Sequence, residues 1–223
     1  YKSSFATNGA NTGAPGTWTN ITPTTPTATH RVEIVLAPSD PLRVYLLMQD
    51  SATGEVQNMY RSVNGGSSWA NLNPPSALNN GTNSQTWFNL IGAVDPNNAN
   101  TIVVGGLNLA RSTDGGDNWT TITTGASVHV DQHALVYDGS AKLISGNDGG
   151  IYYSTNINAA TPVFLNKNTG YNVTQYYACD FHPTNTNYFL AGAQDNGTQK
   201  FISAGMNTTT NVTGGDGGFC HID

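Results

Sequence analysis

The chain has 223 residues, with 14 acidic against 8 basic side chains and a formal net charge of −6, which excludes the basic face that nucleic-acid binding requires. No apolar run approaches the ~18 residues of a helical membrane span. Only 10% of the residues are charged and 25 are glycine, so long helices held by charge pairs are excluded too. Short runs of Thr, Val and aromatics, punctuated by Gly, Pro and Asn, predict an all-β chain. The sequence opens at Tyr1 with no Met and no signal peptide, which reads as a mature, processed or excised piece.

In chain order, Tyr1-Lys2-Ser3 and residues 16–21 read as two outer strands of an incomplete unit in the stretch 1–22. Four fuller units follow, at about 23–74, 75–125, 126–170 and 171–214, and residues 215–223 open another. Each has an inner strand (32–36, 88–94, 133–137, 176–181) that ends in an Asp/Asn/Pro turn. A second strand (44–48, 101–104, 142–144, 188–190) and a third (58–62, 109–112, 151–154, 198–202) come next. The fourth (69–72, 119–122, 163–165, 209–212) carries an aromatic in the first three. Four strands per ~45–50 residues is the measure of a propeller blade. The expectation is one contiguous β-propeller segment over 1–223, of about four four-stranded antiparallel blades, incomplete at both ends and part of a larger polypeptide.

Two of the turns share a motif. Ser62-Val63-Asn64-Gly65-Gly66-Ser67-Ser68-Trp69 and Ser112-Thr113-Asp114-Gly115-Gly116-Asp117-Asn118-Trp119 both read Ser-x-Asp/Asn-Gly-Gly-x-x-Trp, each preceded by Arg. The Asp or Asn is expected to accept backbone N–H bonds two residues on, Gly-Gly to supply the φ > 0 turn, and the Trp to bury its ring between sheets. The motif resembles the Asp box (BNR repeat) of sialidase-like and xyloglucanase-like β-propellers, where it lies on the outer rim and is structural. On that resemblance Ser62, Asn64, Gly66, Trp69, Ser112, Asp114, Gly116 and Trp119 have structural roles. Sialidases grip a carboxylate with three arginines; of Arg31, Arg43, Arg61 and Arg111, two are tied to the boxes, so sialidase activity is not expected.

Three features depart from plain repeat grammar. His129-Val130-Asp131-Gln132-His133 sets His129, Asp131 and His133 on one face if the segment is a strand. That face is either a polar cluster or an acid/base or metal-binding set; alternate residues ~7 Å apart do not close around one ion unaided, and neither a metal nor a cofactor is expected. Trp87 stands outside any box and, with Tyr152-Tyr153, Tyr171 and Tyr176-Tyr177, either packs between blades or stacks on sugar rings. Asp148-Gly149-Gly150-Ile151-Tyr152 and Gly215-Asp216-Gly217-Gly218-Phe219-Cys220-His221 resemble the two elements that supply the acid and base of xyloglucanase-type glycosidases. The resemblance implies a catalytic pair, Asp148 and Asp216; read as ordinary turn residues, both accept N–H bonds from their own Gly-Gly turns.

Cys179 and Cys220 fall at comparable points of successive units, which favours a disulfide in an oxidising compartment; the other reading is two buried thiols. Asn-x-Thr sequences at Asn20, Asn80, Asn118, Asn172, Asn196, Asn207 and Asn211 and a low Lys content fit an extracellular protein. The whole most resembles propellers of large secreted bacterial proteins, many exported by the type IX route. The expected function is a secreted or cell-surface β-propeller module that interacts with a polysaccharide or other glycan, or acts as a scaffold or adhesion element; the alternative is part of a xyloglucanase-like glycoside hydrolase.

Overall fold

A computed structural model of the chain describes residues 1–81, 84–171, 173–203 and 209–223; Asn172 and Asn207 lie outside the described residues. The chain is all-β, and its described residues form sixteen strands in four four-stranded antiparallel sheets. The first holds β1 (Thr29–Ala37), β2 (Asp40–Asp50), β3 (Val56–Ser62) and β4 (Ala70–Leu72). The second holds β5 (Ile91–Asp95), β6 (Asn98–Gly105), β7 (Leu109–Ser112) and β8 (Thr120–Thr121). The third holds β9 (Gln132–Tyr137), β10 (Leu143–Asn147), β11 (Gly150–Ser154) and β12 (Leu165–Asn166). The fourth holds β13 (Ala178–His182), β14 (Asn185–Gly192), β15 (Thr198–Phe201) and β16 (Thr210–Thr213). In every sheet the strands pair in sequence order, each with the next. This is the meander of a propeller blade. Ahead of them, Lys2 and Thr19 form an antiparallel bridge. No helix of the described residues is long and apolar enough to cross a membrane.

The chain divides into two compact units, Tyr1–Thr169 and Gly170–Asp223. The first has a core between each successive pair of sheets. Tyr45, Leu47, Met59, Leu72, Leu90, Ile102 and Val104 fill the space between the first and second. Val103, Leu109, Leu135, Leu143 and Ile157 fill that between the second and third. The period of two does this. On β2, Tyr45 and Leu47 face one way, while Leu46 and Met48 pack with Tyr60 and Trp69 on the other.

The two Gly-Gly turns have the same register, Arg61 opposite Ala70 and Arg111 opposite Thr120. They also share a hydrogen-bond pattern. The Ser62 hydroxyl accepts the buried Gly66 N–H (2.8 Å) and donates to Asn64 Oδ1 (3.0 Å), which accepts the Ser68 N–H (2.8 Å). Ser112, Asp114, Gly116 and Asn118 repeat it at 2.8, 2.7 and 2.9 Å. The Asp or Asn therefore closes the turn on the residue four on, not two on, because the serine takes the glycine N–H. Three donors on the Asp114 carboxyl, first the Asn118 N–H, then the Asn118 side chain and Ser112, pull its pKa down to about 2.

The second glycine of each turn, at φ +86° and +96°, leaves no room for a Cβ. One at Gly66 would lie 2.4 Å from Ile21 Cδ1, and one at Gly116 2.7 Å from Leu72 Cδ1. Trp69 Nε1 donates to the Ile21 carbonyl (2.7 Å), whereas Trp119 Nε1 is buried without a partner among the described residues.

The basic residue before each serine reaches forward to the following turn. Lys2 Nζ donates to the Gly65 carbonyl (3.0 Å), and Arg61 to the Gly115 carbonyl (2.8 Å) and Asp117 (3.1 Å). Arg111, 7% exposed, donates to the carbonyls of Ile157 and Ala159. That last turn is a third copy the sequence conceals. Ser154 Oγ donates to Asn156 Oδ1 (3.2 Å), which accepts the Val163 N–H (2.9 Å) across a longer loop. In the fourth sheet, Phe201 takes the serine's place opposite the second strand and stacks on Phe189 at 4.1 Å.

Cys179 and Cys220 are free thiols, so the expected disulfide is not formed. The segment after Gly218 does run beside β13, since the Ile222 N–H donates to Asp180 Oδ2 (2.8 Å). Cys220 Sγ, however, is 3.9 Å from the Ala178 carbonyl and is spent on main chain rather than on the exposed Cys179.

Candidate functional site

The loop Gln85–Leu90, between the first sheet and β5, carries Trp87 and Phe88, which are 58% and 41% exposed. The sequence places Phe88 in the inner strand, but β5 begins only at Ile91. The cause is Arg31, on β1. Its guanidinium takes the carbonyls of Trp87 (3.0 Å), Phe88 (2.6 Å) and Leu90 (2.7 Å), which turns that main chain away from a sheet ladder. Thr86, fully buried, anchors the same loop to the Gly54 carbonyl at 2.5 Å.

From the other side the loop is held by Asp131, which accepts hydrogen bonds from Gln85 Nε2 (3.1 Å) and Asn89 Nδ2. Asp131 has φ 62°, the left-handed region that Asp tolerates better than most residues. It therefore breaks the alternation that would have lined up His129, Asp131 and His133, and β9 starts at Gln132. Of the three, only His133 is in the strand. Gln132, fully buried, ties the corner together: its Nε2 donates to the His129 carbonyl (2.6 Å) and its Oε1 accepts the Ser145 hydroxyl (2.7 Å).

His133 Nε2 lies 2.6 Å from Asp148 Oδ1. With the carboxylate ionised, Nε2 carries the proton and donates, and Nδ1 is an acceptor in the neutral ring. The imidazole sits edge-on to Phe88, centroids 4.5 Å apart, and Phe88 lies 5.6 Å from Trp87. The two side chains of the pair are 31% and 27% exposed. Asp148 is not consumed by its own turn, because Asn147 Oδ1 takes the Gly149 N–H (3.0 Å). Gly149 is required here, since a Cβ on it would fall 2.3 Å from His129 Cβ.

The structure thus gathers Trp87, His133 and Asp148, with His129 packed on the Asp148 turn and Asp131 acting through the loop. Phe88, Arg31 and Gln132 complete the arrangement; the sequence signal for them was at most an aromatic pair and the Asp-Gln-His step. Asp216 belongs to the second unit, where its Oδ1 accepts the Asp195 N–H (2.9 Å) rather than an N–H of its own Gly-Gly turn. Among the described residues no group of three or more His, Cys, Asp or Glu is arranged to hold a metal ion. A separate groove of about 460 Å³, lined by Ile34, Leu36, Pro38, Pro96 and Val136 among others, is apolar along the inner strands. What the Trp87 rim offers chemically is an exposed apolar surface of two rings tilted by 45°, with the His133–Asp148 pair beside Phe88.

No family model and no curated protein matches the chain. Among solved structures it is similar to the glycoside hydrolase GH74 enzyme of Niastella koreensis, with 21% identity over 82% of this chain and 30% of that one, at a TM-score of 0.49. The GH74 xyloglucanase of Xanthomonas campestris gives 13% identity over 81% and 38%, at a TM-score of 0.44. YCF48 from Cyanidioschyzon merolae gives 14% over 86% and 73%, at 0.46. The chain spans 30% and 38% of the lengths of the two hydrolases.

Proposed function

We propose that this chain is a module of a secreted or cell-surface protein that binds a glycan at the rim formed by Trp87, Phe88, His133 and Asp148. The observation that carries this reading is the exposed Trp87–Phe88 pair, fixed from the first sheet by Arg31 and by Asp131, which immediately precedes β9. An aromatic surface left in water but held rigid binds without a large ordering cost. The box-like turns support membership of the Asp-box propellers, and the Asn-x-Thr content an extracellular setting, with the type IX export route as the corresponding bacterial pathway. A scaffold or adhesion role would use the same rim. Affinity electrophoresis through gels of several polysaccharides tests the reading: the protein is expected to be retarded in at least one, and Trp87→Ala to run free. If none retards the wild type, the reading is wrong.

One observation favours the alternative, a part in glycoside hydrolysis: the Asp148 carboxylate is not tied up by its own turn. Release of reducing ends that disappears in Asp148→Asn and Asp216→Asn, with the fold intact, would establish that role in place of simple binding.

A further inference from the structure

Four asparagines of the chain precede a glycine: Asn8, Asn64, Asn80 and Asn196. We infer that, of these, Asn80 is the self-modification site of the folded protein, converting to aspartate and isoaspartate. The reaction needs only water. The Gly81 nitrogen, its proton lost to solvent hydroxide, attacks Asn80 Cγ. A C–N bond forms, the side-chain nitrogen leaves as ammonia, and a five-membered imide results. Water then opens either side of the imide. One product is an ordinary aspartate; in the other the main chain runs through the former side chain. Glycine permits the attack because it brings no Cβ into the path of the closing ring.

The other three asparagines are held out of reaction. Asn64 has both amide atoms engaged: Oδ1 accepts from Ser62 (3.0 Å) and the Ser68 N–H (2.8 Å), and Nδ2 donates to Ser68 Oγ (2.8 Å). Its would-be attacker, the buried Gly65, donates its N–H to the Leu42 carbonyl (2.8 Å). Asn196 Nδ2 donates to the Gln194 carbonyl (3.0 Å), and the Gly197 N–H to the Gly215 carbonyl (2.7 Å). Asn8 Nδ2 is shared between Ser3 Oγ and the Thr17 carbonyl, both at 3.2 Å. Asn80 and Gly81 are both exposed. Among the described residues, neither amide atom of Asn80 nor the Gly81 N–H has a hydrogen-bond partner. Gly81, at φ +70°, has no atom beyond its chain neighbours within 4 Å of where a Cβ would stand, so nothing crowds the ring as it closes. The place of the reaction gives it a consequence. The Asn80 N–H donates to Ser84 Oγ (2.7 Å), which donates to the Gly81 carbonyl (2.7 Å), and Ser84 is 3% exposed. Isoaspartate lengthens the main chain by one carbon between these two anchors and opens the turn that leads into the Trp87–Phe88 loop.

The full chain is aged in mildly alkaline buffer, folded in one sample and in concentrated urea in another, and digests are followed by mass spectrometry for the amide-to-acid mass gain. In the folded sample the Asn80 peptide is expected to convert at least ~10 times faster than those of Asn8, Asn64 and Asn196, whose hydrogen bonds must first break. Urea removes that protection, so there the four rates are expected to agree within about threefold. A second asparagine keeping pace with Asn80 in the folded protein would overturn the inference. So would an Asn80 lead that survives urea, since the neighbouring residues and not the fold would then set it. The opened turn is read with chymotrypsin, which cuts after aromatic residues. Aged wild type is expected to be cut after Trp87 or Phe88 several-fold faster than fresh wild type. Fresh Asn80→Asp, which adds the charge without the extra carbon, and aged Asn80→Gln, whose longer side chain cyclises slowly, are expected to be cut like fresh wild type. Equal cutting of aged and fresh wild type would overturn the effect on the turn.

Discussion

Replacing the serine of each repeat turn by alanine separates the three turns by cost. Ser112 Oγ takes the buried Gly116 N–H at 2.8 Å and the Asp114 N–H at 3.3 Å, and donates to the Asp114 carboxylate at 2.7 Å. Ser62 does the same at 2.8, 3.3 and 3.0 Å. Alanine leaves a buried N–H without an acceptor, which costs ~1–3 kcal/mol, so Ser112→Ala and Ser62→Ala should each lose about 2 kcal/mol. Ser154 bonds only Asn156, at 3.2 and 3.3 Å, and Ser154→Ala should lose about 1 kcal/mol. All four tryptophans (Trp18, Trp69, Trp87 and Trp119) lie in the first unit. Their emission in urea therefore follows that unit alone, and with a slope of roughly 2 kcal/mol per M the larger losses lower the midpoint by about 1 M. Equal costs at Ser154 and Ser112, or losses below about 0.5 kcal/mol at both glycine-bearing turns, would refute the hydrogen-bond account.

The remaining predictions concern the clasps, acid and the thiols. Arg111→Met should destabilise the first unit by about 3 kcal/mol by stranding the Ile157 and Ala159 carbonyls in a desolvated place. Arg61→Met, at a more open site, should lose about 1 kcal/mol by the same urea assay. Because the folded pKa of Asp114, about 2, lies below its ordinary 3.8, its stabilisation is complete above pH ~4 and is lost as pH falls through 2. At this exposed carboxyl it amounts to about 1 kcal/mol. Thermal melts of Asp114→Asn should show a flatter acid limb than wild type, and Asn64→Asp a steeper one. Both cysteines should react with a chromogenic disulfide reagent in native buffer, Cys179 before Cys220, and reductant should leave the intact mass unchanged.

The strands were legible in the sequence because their signals are local. Period-two runs closed by Gly, Asn and Asp turns placed all sixteen strands, with β7 matching residue for residue. The site was only partly legible, because its shape comes from contacts far apart along the chain. Phe88 reads as strand by composition, yet an arginine 57 residues earlier captures its carbonyl. Asp131 reads as the middle of an alternating trio, yet its left-handed backbone turns it toward Gln85 and Asn89. The third turn lost its Gly-Gly and its Trp, so Ser154 and Asn156 were visible only by their bonds. Spacing placed the cysteines near one another but did not show that Cys220 would turn to a main-chain carbonyl.

The forward-reaching Lys2, Arg61 and Arg111 give the fold a direction of growth. Three successive periods carry a cation to offer and, one step on, a turn to receive, with 63, 54 and 46 residues between donor and acceptor; at the next such position, before Ser154, stands Tyr153. A gene duplication that copies one whole period inserts a module with both hands already in place, and the joints on either side survive it. A duplication or deletion out of that phase leaves a guanidinium facing a turn with no carbonyl to take it. The coupling makes whole-period changes the tolerated kind, so the lineage can lengthen or shorten its array in steps of about fifty residues.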